Sequence, residues 1–271
     1  MNSQTINNAF FREKKSAFDD VALPVETIQA FQTTRLSPVK IAQDQLLLDQ
    51  NAQKMAPFDE FNLGLHVGDE AIQVSKNRQC LLSYLPQHSS IQWLEQVHGS
   101  NVVILDKISD VPLQADAIIT RVPKLALAIM TADCLPILLA NKVGTEIAAI
   151  HAGWRPLSAG IIDETLTKML TDNKDIYAWL GPCITQAYFE VGNEVKTQFE
   201  QLNPGFSVAF KANKKGKWLA DLQQIAVMML TQHGVTHISL NSGCTYSMNE
   251  RYYSYRKAHT TGRMAAIICI K

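Results

Sequence analysis

Residues 125–155 read LALAIMTADCLPILLANKVGTEIAAIHAGWR, and this stretch predicts the central hairpin of the fold. It contains two apolar runs, 135–140 and 147–150, which flank the sequence Asn-Lys-Val-Gly-Thr. That connecting sequence has the length and composition of a hairpin loop. Folding the hairpin about Val143 places Cys134 beside His151 and Ala152, at the end where the two strands open.

A cysteine and a histidine that meet at the mouth of a hairpin indicate chemistry rather than packing. Both groups bind transition metals, so the pair can be half of a metal site. It can equally be a nucleophile and its base, in which His151 or His98 deprotonates Cys134 for attack on an amide or ester. A zinc-stabilised binding module without catalytic activity is a third reading. The residues alone leave all three open.

Length and composition are those of an ordinary globular protein, with 271 residues, 46% hydrophobic and 18% charged. Because 25 basic residues balance 25 acidic ones, no charge pattern for nucleic acid or anionic membranes is present, and a small, roughly neutral ligand is expected. The longest apolar stretch, 125–140, is interrupted by Asp133 and Pro136 and is shorter than the roughly 18 residues of a membrane span. The first residues lack the order of a signal peptide, so we expect a cytoplasmic protein.

The five cysteines are predicted to be free thiols. Their number is odd, no Cys-x-x-Cys pair occurs, and a cytoplasmic chain rarely carries disulfides. Cys269 lies in an apolar run typical of a buried last strand, and Cys80 lies on the apolar face of a predicted helix. Cys183 and Cys244 are also interpreted as structural.

Strand and helix patterns alternate along the chain without a long linker. Strands are predicted at 28–34, 61–69, 91–105 (two strands about a Gly-Ser turn), 117–120, in the hairpin, at 177–184 (running into a turn) and at 237–240. Helices are predicted at 43–53, 70–85, 156–172, 193–201 and 222–233. The predicted class is α+β (mixed α/β), a three-layer sandwich with mixed sheets. Residues 1–25 are expected to form a mobile arm, and 26–271 a single domain.

His98 stands apart among the seven histidines. It ends an apolar strand directly before Gly99, a position that aims a side chain into a cleft. His88 is assigned to a surface loop, and His233 and His237 are assigned to a helix end as capping groups. His66 and His259 are assigned to neither role.

Six motifs, in order along the chain, resemble the laccase-domain family, also called YfiH-like or multi-copper polyphenol oxidoreductase. They are FNLGLHVGD (61–69), QVHG (96–99), TADCLP (131–136), HAGWR (151–155), LGPCI (180–184) and YSYRKAHTTGRMA (253–265). The resemblance implies a zinc site built from His98, Cys134 and His151, and a YfiH-like single-domain fold. It also implies purine nucleoside phosphorylase activity, with adenosine deaminase and methylthioadenosine phosphorylase as side activities. Polyphenol oxidation and removal of wrong peptidoglycan precursors are the other activities described for the family.

The residues favour zinc over copper. Three ligands of His, Cys and His type leave the fourth tetrahedral position open, as in catalytic zinc sites. A laccase-type oxidase needs a further cluster of histidines, commonly as His-x-His pairs, and this chain has none. The zinc-deaminase signature His-x-Glu with Pro-Cys-x-x-Cys is also absent, so any deamination requires a different scaffold.

Phosphorolysis of a nucleoside requires a phosphate site, for which arginine is the natural bidentate donor. Arg155 and Arg256 are the main candidates, with Arg78 as a third, and Asn62 is a candidate for binding a hydroxyl group. Each also has a structural interpretation, as a surface ion pair, a helix neighbour or a turn residue.

The chain departs from the family pattern at two places. Family members continue the tryptophan motif as Trp-Arg-Gly, whereas this chain has Pro156 after Arg155, which removes an amide donor. The usual Gly-Gly-x-Ser turn is missing after Arg35, where an insertion runs to about Ala56. Both differences put backbone contacts and the entry of substrate in question.

Overall fold

The structure is a computed structural model that describes residues 17–38 and 57–271. Within these ranges the strands are β1 (Phe18–Asp20), β2 (Ile28–Thr33), β3 (Ser90–Gln92), β4 (Leu94–Glu95), β5 (Val102–Leu105), β6 (Leu113–Gln114), β7 (Ala117–Thr120), β8 (Leu125–Thr131), β9 (Leu135–Asn141), β10 (Ile147–Ala152), β11 (Ile176–Leu180), β12 (Glu190–Val191), β13 (Phe210–Ala212), β14 (Trp218–Ala220), β15 (His237–Leu240) and β16 (Met264–Ile270). The helices are α1 (Ala71–Leu82), α2 (Trp154–Ser158), α3 (Ile161–Lys168), α4 (Asn193–Leu202) and α5 (Leu222–Gln232). No helix in the described ranges has the length and apolar character needed to cross a membrane.

Two large sheets form the centre of the fold. One has five strands in the order β1-β2-β16-β8-β3, and the other has six in the order β15-β11-β9-β10-β7-β5. The pairs β3–β8, β5–β7 and β11–β15 are parallel, and the remaining pairs of both sheets are antiparallel. This confirms the predicted mixed α and β class with mixed sheets.

The two sheets pack face to face. Leu127 and Ile129 of β8 meet Leu138 of β9 and Ala149 of β10 in the core between them. The opposite face of the first sheet packs against α1, and that of the second sheet against α3, α4 and α5. The strands β8, β9 and β16 are buried along their whole length because both faces are covered. The expected three layers become four, since hydrophobic patterns show that a strand is buried but not which of two stacked sheets it joins.

The hairpin predicted from residues 135–150 is formed by β9 and β10. Ala152 lies opposite Leu135 and Ile147 lies opposite Ala140. Cys134 therefore directly precedes β9, at the end of the ladder where His151 and Ala152 lie. The predicted register is confirmed to within one residue.

The N-terminal boundary differs from the prediction. Residues 18–20 form β1, which pairs with β2 and adds an edge strand to the five-stranded sheet. Phe18 holds this strand in place because its ring contacts Phe31, with centroids 5.0 Å apart. These residues belong to the sheet rather than to an arm. Residues 1–16 of the expected arm and the predicted helix at 43–53 lie outside the described residues.

The segment 61–69 is a series of turns rather than the predicted strand. Asn62 Oδ1 accepts a hydrogen bond from Gly64 N at 2.9 Å. Such a bond from an asparagine side chain to the backbone two residues later stabilises a turn in place of a strand. Gly68 continues the turn with a φ of 92°, a conformation that suits glycine.

Three further predictions were wrong in detail. The helical pattern at 156–172 is split into α2 and α3 because Gly160 adopts a left-handed φ of 83°. The segment 91–105 forms three strands, β3, β4 and β5, which pair with β8, β6 and β7 and so belong to three different sheets. His237 lies in β15 against the Tyr177 ring and does not cap a helix.

Candidate functional site

The structure brings His98, Cys134 and His151 together at the mouth of the hairpin. His151 lies near the end of β10, Cys134 in the bend between β8 and β9, and His98 in the turn after β4. One ligand atom from each residue lies within 4.8 Å of the other two. The His98 and His151 rings meet edge to face, with centroids 4.7 Å apart.

Asp116, directly before β7, positions both histidines. Its Oδ1 accepts a hydrogen bond from His151 Nδ1 at 2.7 Å and from the backbone N of His98 at 3.0 Å. Its Oδ2 accepts from Gly99 N at 2.7 Å. Because a carboxylate only accepts, the Nδ1 of His151 carries the proton and its Nε2 is directed to the site. This is the arrangement of a carboxylate that orients a metal-binding histidine.

Two site residues adopt left-handed backbone conformations, with φ of 60° at His98 and 102° at Asp133. Such conformations cost energy in residues other than glycine and are held by surrounding bonds. At Asp133 the side-chain carboxylate makes the hydrogen bonds that hold this conformation. Its Oδ1 accepts from Thr245 Oγ1 and its Oδ2 from Arg256 N, both at 2.6 Å. The bend that presents Cys134 is thereby fixed.

Gly153 allows α2 to start directly beside the thiol. A Cβ at this position would lie 2.9 Å from Cys134 Sγ and 3.6 Å from Pro156 Cδ. Pro156 itself is the third residue of α2, where the helix has no intrahelical partner for an amide hydrogen. The departure from the family pattern is therefore compatible with the helix.

The charges of the site are strongly coupled. Burial favours a neutral thiol, but the adjacent His151 and His98 lower the pKa of Cys134 to about 6. Burial likewise favours a neutral imidazole, but Cys134 and Asp116 raise the pKa of His151 to about 9. Burial also opposes the charge of Asp116, yet the hydrogen bonds from His151 and Gly99 leave its pKa below the usual range. Without a metal the pair is a thiolate and an imidazolium.

The donor set fits a single divalent metal ion. A thiolate and two imidazole nitrogens are ligands that zinc binds at about 2.0–2.3 Å. Here the three candidate ligand atoms lie within 4.8 Å of one another. Binding would displace the proton from His151 Nε2, as metals do at histidine ligands. Within the described part of the chain these residues form the one group of three or more potential ligands.

A cavity of about 960 Å³ opens over the three residues. Its size lies at the upper end of the range for small-molecule sites. Its walls are aromatic and basic, and include Trp93, Trp154, Phe189, Tyr255, Arg78, Arg155, Arg256, Arg263, His66 and His259. Planar rings and guanidinium groups suit a ligand with an aromatic base and an anionic group.

The predicted substrate residues differ in their placement. Arg155 and Arg256 line the cavity with exposed side chains, and Arg78 lines it with a half-buried one. Asn62 is fully buried, and its amide bonds Gly64, Asp69 and the backbone N of Arg263. Its burial and these hydrogen bonds favour the structural interpretation as a turn residue.

Sequence reasoning missed Asp116 and Arg263. The signal that could have identified Asp116 is a single acidic residue between Ala115 and Ala117, at the start of a buried strand. Arg263 lies in the last quoted motif, one residue before β16, and its place in the cavity depends on the long-range pairing of that strand.

Residues 49–271 match the family model described as multi-copper polyphenol oxidoreductase laccase. The chain belongs to this family. The match includes the three candidate ligands and all cavity residues named above.

Bacterial relatives carry a different description. The purine nucleoside phosphorylase YfiH of Escherichia coli (strain K12) is 44% identical over 214 residues, which cover 79% of this chain and 88% of that protein. A purine nucleoside phosphorylase of Haemophilus influenzae is 38% identical over 245 residues, covering 90% of this chain and 94% of the relative.

Solved structures share the fold. The Neisseria meningitidis protein NMB0706 matches with a TM-score of 0.84 and 32% identity, covering 94% of this chain and 100% of that one. YlmD from Geobacillus stearothermophilus matches with a TM-score of 0.80 and 26% identity, covering 94% and 99% of the two chains.

Proposed function

We propose that this chain is a zinc-dependent purine nucleoside phosphorylase that acts on adenosine, inosine or methylthioadenosine. The observation that carries the proposal is the His98, Cys134 and His151 group, placed at the floor of a cavity with aromatic and arginine walls. The relatives named purine nucleoside phosphorylases support the substrate class.

Zinc is favoured by the number and type of the ligands. One His-Cys-His group leaves a coordination position for a substrate oxygen, as in catalytic zinc sites. An oxidase of the laccase type needs several copper ions, and the described residues contain no second group of this kind. Polyphenol oxidation by copper is therefore the weaker alternative.

The reaction breaks the bond between ribose C1′ and the base nitrogen and forms one between C1′ and a phosphate oxygen. The departing base gains one proton, which the attacking hydrogen phosphate ion loses, and ribose 1-phosphate is the second product. When bound, the metal ion supplies a Lewis acid that polarises an oxygen in the cavity. Arg155 and Arg256 at the rim bind the nucleoside, and Phe189 and Tyr255 offer faces for its purine ring.

A second candidate function uses the same residues without metal. The thiolate of Cys134 next to protonated His151 is the arrangement of a cysteine nucleophile with its base. A hydrolase of this kind would cleave an amide or ester, for example in a peptidoglycan precursor, and would be active after removal of all metal.

The test is a nucleoside screen with and without inorganic phosphate, on zinc-loaded and chelator-treated protein. The proposal expects release of free base that requires both phosphate and metal. Base release that continues without phosphate would indicate hydrolysis, and consumption of a phenol with no nucleoside turnover would indicate the oxidase. Ammonia release from adenosine, measured in the same samples, tests the adenosine deaminase side activity.

A further inference from the structure

From the contacts of the cavity wall we infer that Arg78 and Arg263, with His66, form an oxyanion subsite that binds inorganic phosphate. This inference rests on the proposed function for the identity of the anion. It moves the phosphate away from the two exposed arginines, Arg155 and Arg256, to two half-buried ones.

Both arginines are fixed to one short segment of backbone. Arg78 Nε donates to Leu63 O at 2.9 Å, and Leu63 N donates to Arg263 O at 3.1 Å. Asn62 Oδ1 accepts from Arg263 N at 2.8 Å. The buried turn at 62–64 therefore holds the two residues next to each other, which is the role that Asn62 serves.

The guanidinium groups are held in defined orientations. Arg78 lies over the Trp93 ring, with its Cζ 3.9 Å from the ring centroid. Arg263 Nη1 donates to the carbonyls of Thr261 and Gly262, at 3.1 and 3.0 Å. Such fixed planar donors lose little freedom on binding an oxyanion, which is why arginine is suited to bidentate phosphate contacts.

Neither guanidinium has a carboxylate partner among the described residues. No acidic oxygen there comes within 4.0 Å of either group, although other arginines such as Arg121 do form ion pairs. Asp133 is the carboxylate that acts electrostatically on Arg263. Its two oxygens accept hydrogen bonds from Thr245 Oγ1 and from the backbone N of Arg256. A half-buried cation without a counterion is unfavourable unless an anion binds beside it.

Burial also shifts the ionisation of these three groups. It lowers the pKa of Arg78 to about 10 and also lowers that of Arg263, so both remain charged at neutral pH. Burial and the two arginines together lower the pKa of His66, so its ring is neutral at pH 7. A neutral imidazole has an acceptor nitrogen for the hydroxyl group that phosphate still carries at this pH.

The subsite borders the reacting centre. Arg263 interacts electrostatically with the Cys134 thiolate, and all three subsite residues line the same cavity as the His-Cys-His group. By contrast, Arg155 and Arg256 are exposed, and Arg256 Nη1 is bound to Glu190 O. Exposed charges bind anions weakly in water because solvent and salt screen them.

The test compares four single variants of the zinc-loaded, full-length protein, in which one arginine is replaced by glutamine. Arg78→Gln and Arg263→Gln are expected to weaken the binding of inorganic phosphate at least about 10-fold in calorimetric titration, since each removes a charge-assisted bidentate contact. Arg155→Gln and Arg256→Gln are the matched controls and are expected to change it less than about 3-fold. Circular dichroism and zinc content verify that each variant is folded.

Arg78→Lys and Arg263→Lys provide a second series, because they keep the charge and lose only the planar fork. They are expected to bind phosphate more weakly than the parent protein. Wild-type phosphate affinity in both the Gln and Lys series, or a larger loss in the two controls, would overturn the subsite. If the parent protein turns over nucleosides and the phosphate KM of Arg78→Gln and Arg263→Gln is unchanged, the subsite fails and the proposed function stands. If phosphate binding follows the expected pattern and no nucleoside is cleaved, the proposed function fails and the subsite stands.

Discussion

His151 Nδ1 donates to Asp116 Oδ1 at 2.7 Å, and this bond links the deepest candidate ligand to the loop that carries the most exposed one. The same carboxylate accepts from the backbone of His98 and Gly99. One buried acid therefore fixes the ring of one histidine and the backbone of the other. The geometry of the metal site depends on Asp116 although it is not one of the three ligands.

Replacing Asp116 with Asn is expected to lower zinc affinity by about 10–100-fold, the usual effect of losing a carboxylate that orients a metal-binding histidine. The variant keeps the size of the side chain and one acceptor for the backbone amides, so the fold should persist. Competition with a chromogenic chelator measures the affinity. Asp106→Asn, an exposed change, is the control, and equal affinities of both variants would contradict the role of Asp116.

Gly153→Ala tests how closely α2 approaches the thiol. The added Cβ would lie 2.9 Å from Cys134 Sγ, which forces the sulfur or the start of the helix to move. We expect zinc affinity to fall at least about 10-fold with an intact fold, because a metal site tolerates ligand shifts of only a few tenths of an ångström. Gly99→Ala is the matched control, since its Cβ would meet nothing closer than 3.8 Å. An affinity loss in the control that matches the loss in Gly153→Ala would argue against this explanation.

The cysteines are expected to separate into one functional and several structural residues. Cys134→Ala should lose the metal and all activity while it remains folded. Ser at Cys183 or Cys244 should retain zinc and most activity and cost stability instead, because both side chains are buried and neither belongs to the ligand group. Elemental analysis and thermal unfolding measure the two effects. Loss of zinc at Cys183→Ser would mean that the site is larger than the three residues.

Stability of the hairpin is expected to depend on pH through Glu146. Its buried carboxylate accepts from Leu170 N at 3.0 Å, from Thr171 N and Oγ1 at 3.0 and 2.6 Å, and from Arg121 Nε at 2.8 Å. Burial alone would raise its pKa, but these hydrogen bonds keep it below the usual value of 4.5. A carboxylate with a lowered pKa contributes stability above the pKa of the unfolded chain, and the contribution is lost as pH falls through the folded value.

Glu146→Gln should therefore lower the free energy of unfolding by about 2–3 kcal/mol at pH 7, the range for charge-assisted hydrogen bonds. The difference from the parent protein should shrink as the pH falls below 4.5, where the parent carboxylate becomes protonated. Urea unfolding at a series of pH values measures both. A difference that stays constant with pH would show that charge at Glu146 is not the cause.

The sequence was sufficient to predict the part of the site that depends on local pairing. The loop at 141–145 and the two apolar runs determine the hairpin register, so the meeting of Cys134 and His151 followed from counting residues. The approach of His98 could not be derived in this way, because it depends on parallel pairings between β4 and β6 and between β5 and β7. The resemblance to a family supplied it instead.

The cavity walls were less predictable for the same reason. Arg78 comes from α1 and Arg263 from the start of β16, and the turn at 62–64 joins them across almost 200 positions of the chain. Asn62 was predicted to bind substrate because a polar residue beside glycines has the same sequence pattern in a binding loop and in a buried turn. Only its hydrogen bonds and burial separate the two cases.

The most direct test of the account follows the product of phosphorolysis at this site. Metal-free protein is reconstituted with zinc and given adenosine or inosine with inorganic phosphate, and ³¹P NMR monitors the formation of ribose 1-phosphate. We expect ribose 1-phosphate to accumulate together with free base. Chelator-treated protein should form none, and Cys134→Ala should form none even with added zinc. Undiminished ribose 1-phosphate formation by Cys134→Ala, or none by the zinc-loaded parent protein with any purine nucleoside, would contradict the proposed function.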